Sequence, residues 1–111
     1  MKASKYLTRF YEAYNTLYFN GKLPKLKIGY GRVEPRTYGV TAFDVKTRRA
    51  IRITISQTLH NQGWQCTELV TLLHEMVHVE MGPVSIKEGH GKEFQRLKRR
   101  LIVAGAFDEL L

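Results

Sequence analysis

Five consecutive residues in the second half of the chain, His74-Glu75-Met76-Val77-His78, have types and spacing that could do chemistry together. A four-residue step along an α-helix overshoots a full turn by only about 40° and rises about 6 Å, so the two imidazoles leave one face and can grip one metal ion. Zinc takes imidazole nitrogen in tetrahedral geometry, and a catalytic site keeps one position open, so a third protein ligand is required. His90 is the candidate, because the chain turns after Gly82-Pro83 and can bring it back against the helix. Its neighbours Gly89 and Gly91 are expected to lend that segment unusual backbone angles and a close approach. Glu75 lies next to the metal and suits the role of general base toward a water. Zinc brings a water's pKa from 15.7 to about 7, so hydroxide becomes available to attack a polarised carbonyl, which is amide hydrolysis. With four histidines and eight glutamates in the chain, the HExxH pattern would arise by chance in roughly one shuffled sequence in a hundred. Three polar groups on so apolar a helix would also be costly to bury without a purpose.

Other reactive or aromatic groups lack such spacing. His60 falls in a connection with no partner, which favours an exposed or locally hydrogen-bonded role. Cys66 reads as a small buried filler, and Trp64, Tyr30 and Tyr38 as packing aromatics rather than base-stacking platforms.

The elements that must position the site can be read from periodicity. Ala3, Leu7, Phe10, Tyr14 and Leu17 recur at helical steps, which predicts an amphipathic helix over 3–18 that ends at Asn20-Gly21 and Pro24. Leu26, Ile28 and Tyr30 then alternate with small or charged residues as in a strand, and Val40–Asp44 and Ile51–Ile55 alternate as the two arms of a hairpin. Residues 57–66 read as a connection, and Thr67 as the N-cap of a second helix. That helix is apolar on several sides as far as Met81, so it should lie in the middle of the fold. After a loop over 84–90, Phe94, Leu97 and Leu101 mark a third, basic-faced helix. The expectation is an α+β domain: an N-terminal helix, a three-stranded antiparallel-type sheet, the HExxH helix and a C-terminal helix.

A length of 111 residues points to one domain over 1–111, with 43% hydrophobic and 25% charged residues excluding a disordered chain. One cysteine permits neither an internal disulfide nor a four-cysteine zinc ribbon, which fits a cytoplasmic setting. No apolar run approaches the roughly 20 residues that span a bilayer, so no membrane partner is expected. The net charge of +8 is uneven: residues 1–66 carry twelve basic and three acidic side chains, and 67–86 carry no basic and three acidic ones. A basic surface releases counterions from phosphates, so nucleic acid is the partner it suggests, although solvated strand ends would produce the same count.

The HEMVH stretch followed by Gly89-His90-Gly91-Lys92-Glu93-Phe94 resembles the SprT-like zinc metallopeptidase family, that of the Spartan-type protease domain. Upstream, Phe19-Asn20-Gly21-Lys22-Leu23-Pro24 is similar to the family's segment after its first helix, and Tyr38-Gly39-Val40 with Ile51-Arg52-Ile53 to its strand pair. The resemblance implies a minimal zincin-like fold, zinc held by His74, His78 and His90, and Glu75 as catalytic base. It also implies a peptidase acting on proteins bound or crosslinked to DNA. The alternative is a basic nucleic-acid-binding module whose zinc is structural or vestigial and which turns nothing over.

Overall fold

The computed structural model describes residues 1–85 and 88–110. Helix α1 spans Lys5–Tyr18 and begins where the Ser4 hydroxyl accepts from the Leu7 amide at 3.1 Å, satisfying one of the helix's orphan donors. Its inward face is Leu7, Tyr11 and Tyr14, rotated from the expected line, while Leu17 stays 67% exposed. Tyr11 can take the interior position because its hydroxyl donates to the Pro24 carbonyl at 2.6 Å, leaving no buried polar group unpaired. Beyond the helix, Asn20 and Gly21 adopt left-handed backbone (φ 55° and 69°). The Asn15 amide then clamps the returning chain through both the N–H and the carbonyl of Leu23, each at 3.0 Å.

The sheet corrects the expected three antiparallel strands. It has four, β1 (Lys2–Ala3), β2 (Lys27–Gly31), β3 (Gly39–Phe43) and β4 (Ala50–Ser56), in the order β1-β2-β4-β3. The β1/β2 and β3/β4 pairs are antiparallel, whereas β2 and β4 run parallel. The hairpin of β3 and β4 is as the alternation predicts, but it docks with β4 inward, and the consecutive burial of Ile28–Tyr30 and Ile53–Ser56 marks these two as central strands. A Cβ on Gly29 would stand 2.0 Å from the Lys2 carbonyl oxygen, so the bare glycine is what lets β1 lie against β2.

After a short helix α2 (Gln57–Asn61), within the segment expected to be a plain connection, comes α3 (Gln65–Met81), which starts two residues ahead of Thr67 with Trp64 at the cap position. Leu72, Leu73, Met76 and Val77 of α3 are wholly buried, and the helix packs against α1, β3, β4 and the last helix, α4 (Lys92–Val103). It is the central core element that its composition predicts. In its first turn the buried Glu68 carboxylate accepts from the Tyr30 hydroxyl, tying α3 to β2 near the positive end of the helix dipole. The His60 ring stacks on Tyr30 with centroids 4.2 Å apart and lies 3.6 Å from Glu68, so it belongs to this structural tie. Cys66 is exposed rather than buried. The expected loop over 84–90 includes Ile86 and Lys87, which lie outside the described residues. No described helix is long and apolar enough to cross a membrane.

Candidate functional site

His74 and His78 leave α3 one turn apart on its half-exposed face, as the four-residue step requires. His90 comes back to them from the turn before α4. Its Nε2 lies 3.1 Å from Nε2 of His74 and 3.2 Å from Nε2 of His78. One nitrogen from each of the three rings falls within 4.8 Å of the others. Ligand nitrogens 2.0–2.1 Å from a tetrahedral ion stand about 3.3 Å apart, so the spacing suits a metal ion, and the donor set suits a borderline-soft one.

Burial first, then the neighbouring imidazoles and Lys98, pushes the His74 pKa down to about 4. Burial and then His90 push His78 down to about 4 as well. Both rings are therefore neutral at pH 7, with the lone pairs a cation needs.

What orients the rings is a residue that the sequence reading used for helix packing and as the end of the family-like segment, without a role at the site. Phe94, 2% exposed on α4, sits beneath all three imidazoles with ring centroids 4.8 Å from His74, 4.9 Å from His78 and 4.8 Å from His90. It forms an apolar floor that limits the tilt of each ring. The available signal was its place four residues after His90, one helical turn on. Gly91 does less than expected: it has φ −76°, and a Cβ there would come no closer than 3.4 Å to the Glu88 carbonyl. The reversal is made at Gly82, at φ 82°. The Arg48 guanidinium holds the following turn by donating to the Pro83 carbonyl at 3.2 Å.

Glu75 is 5% exposed and lines the same cavity of about 610 Å³ as the three histidines. The Thr41 hydroxyl of β3 donates to its Oε1 at 2.7 Å, leaving Oε2 without a hydrogen-bond partner among the described residues. Burial pushes this carboxyl above the ordinary carboxylate range, and the Thr41 bond opposes that in part. Sequence reading missed Thr41, since nothing in a strand alternation says which helix residue a threonine will meet. Helix and strand can come this close because Gly39 carries no side chain: a Cβ there would meet the Thr71 methyl at 2.8 Å and Glu75 Cγ at 3.3 Å. Tyr38 and Trp64, expected to pack, are instead 51% and 49% exposed.

A family model described as SprT-like family matches residues 7–108. The chain belongs to the SprT-like family. That family consists of metallopeptidase-like domains, and the histidine cluster found here is compatible with the metal ion such a domain holds. Comparison with curated proteins and with solved structures returned no match.

Proposed function

We propose that this SprT-like chain is a zinc-dependent endopeptidase of the zincin type, with His74, His78 and His90 as zinc ligands, Glu75 as general base, and proteins bound or crosslinked to DNA as substrates. The observation that carries this reading is the convergence of three imidazoles and a buried carboxylate in one cavity beside the edge strand β3. β3 ends the sheet, and its outer edge has no strand partner among the described residues. Thr37–Thr41 line the cavity together with His74, Glu75 and His78. An extended substrate can add to that edge through main-chain hydrogen bonds, which lays a peptide carbonyl across the cavity whatever its side chains. The basic first half of the chain, with a net charge of +8 overall, suits substrates held near DNA.

When bound, zinc supplies Lewis acidity toward the carbonyl and lowers the pKa of water to about 7. The protein's own part is proton transfer and placement. Glu75 takes the proton of the attacking water, Oε2 being the oxygen that Thr41 leaves free, and returns it to the departing amide nitrogen. The direct test is incubation of the purified chain with an unfolded protein substrate, with and without DNA. Cleavage should disappear with a chelator and return with zinc. A zinc-loaded chain that binds DNA in a salt-dependent way yet cleaves nothing under either condition overturns the peptidase reading in favour of a binding module.

Thr41 supplies a finer check. Thr41→Val keeps the side chain's shape but removes the hydroxyl that steadies the general base. A hydrogen bond to a charged group contributes roughly 1.5–3 kcal/mol, so kcat should fall by about tenfold or more, with zinc affinity and KM little changed. Thr41→Ser should restore most of the rate. Equal rates for wild type and the valine variant would show that Glu75 needs no such support.

A further inference from the structure

Next to the cavity of the three imidazoles lies a second one of about 640 Å³, walled by the β2–β3 connection, the end of β4, α2 and Trp64. Thr37 and Tyr38 line both, so the two adjoin at the N-terminal end of β3. Arg32 and Arg36 reach this second cavity, are exposed, and have no acidic partner or side-chain hydrogen bond among the described residues. Among the described residues of its wall only Glu34 is acidic, so this wall is net cationic. Arg36 occupies a costly position: it stands at φ 70° in a turn closed by the Thr37 amide donating to the Glu34 carbonyl at 3.1 Å, where glycine would fit without strain.

The position of these arginines gives them a place along a substrate. Glu75 meets β3 at Gly39 and Thr41, so the reacting carbonyl lies opposite that part of the strand. A peptide added antiparallel to β3, the commoner sense of pairing, runs from the Phe43 end toward the Gly39 end. The residues after the scissile bond therefore leave past Tyr38. From Thr41 to Thr37 is four residues, roughly 14 Å of extended chain, so the third or fourth residue beyond the scissile bond reaches the second cavity. Guanidinium groups pair with carboxylates through two parallel hydrogen bonds, and the half-exposed rings of Tyr38 and Trp64 provide low-dielectric walls that strengthen the attraction.

We propose that this second cavity is a carboxylate-binding subsite for the C-terminal side of the substrate, with Arg32 and Arg36 as its cationic groups. The inference rests on the peptidase reading above. The carboxylate is either an Asp or Glu side chain or the free end of the substrate chain.

Peptides differing only at the third and fourth positions after the scissile bond, with Glu, Gln or Lys there, separate the outcomes, each made with a free or an amidated C-terminus. The glutamate peptides should be cleaved with kcat/KM about tenfold above the glutamine ones, mainly through KM, with lysine poorest. A preference that survives amidation assigns the side chain; one seen only for short peptides with a free terminus assigns the chain end. Arg32→Gln with Arg36→Gly should erase the preference while leaving cleavage of the glutamine peptide unchanged, the glycine suiting the turn's backbone. Equal kcat/KM across the wild-type set, or a preference retained in the double variant, overturns the proposal. So does a single-stranded oligonucleotide whose binding the double variant abolishes while the peptides show no preference, since the cavity would then serve phosphates. Anisotropy of the same peptides on zinc-loaded Glu75→Gln reads the subsite without turnover. An acidic preference in binding with no cleavage by wild type supports the subsite and overturns the peptidase reading alone.

Discussion

Glu75→Gln should retain zinc at wild-type stoichiometry and lose protein cleavage by about a thousandfold, within the 10²–10⁴ range that a positioned general base contributes. The two halves of that result come from different parts of the structure. Metal retention follows because the proposed donor nitrogens belong to His74, His78 and His90, and all three rings rest on Phe94. Loss of turnover follows because an amide keeps an oxygen to accept from Thr41 but has no basic oxygen to take a proton. The fold should tolerate the change. Burial raises the carboxyl's pKa, which means that the folded state disfavours its charge above the ordinary carboxylate range, and the neutral amide removes that penalty at pH 7. Metal analysis, thermal unfolding of the metal-free chain and cleavage rates, measured on one preparation, check all three. A variant that cleaves at the wild-type rate would remove Glu75 from the reaction.

The parts of the site legible in the sequence are those fixed by helix geometry. His74 and His78 share a face because four residues make about one turn, and that relation survives any tertiary arrangement. Glu75 and the buried α3 were equally local. The sheet was legible only where its pairing is local: the β3–β4 hairpin is joined by the short turn in which Asp44 accepts from the amides of Lys46 and Thr47, at 2.9 and 2.8 Å. The parallel pairing of β2 with β4 joins segments more than twenty residues apart and leaves no periodic mark. A two-residue β1 is too short to alternate at all. Tyr11 entered the core in preference to Leu17 because a carbonyl of Pro24 awaited its hydroxyl, a partner visible only once the chain has folded back. Phe94 and Thr41 were missed for the same reason. Each acts on the site through a contact between elements, whereas pattern reading sees within one.

Of the three proposed ligands, His90 is the one whose loss should do most to the metal while doing least to the fold. It stands exposed on a turn and meets the core through its ring contact with Phe94, so His90→Ala removes little packing, and the metal-free variant should unfold within about 1 kcal/mol of wild type. Its two companions are fixed by α3 and remain in place, leaving two imidazoles where three converged within 4.8 Å. Removing a group that merely supports a ligand lowers metal affinity by about 10–100-fold, so removing a ligand should cost more than 100-fold. The thermodynamic signature is separable from activity. A chain that binds zinc only when folded gains about 2.7 kcal/mol of stability at a zinc concentration 100 times its Kd. Wild type should show that gain in thermal unfolding, and His90→Ala should show almost none at the same zinc concentration. The two metal-free curves should nearly coincide, which distinguishes a lost ligand from a damaged fold. Zinc stabilisation of equal size in both proteins would mean that His90 is a neighbour of the site rather than part of it, and the metal would then need another third donor.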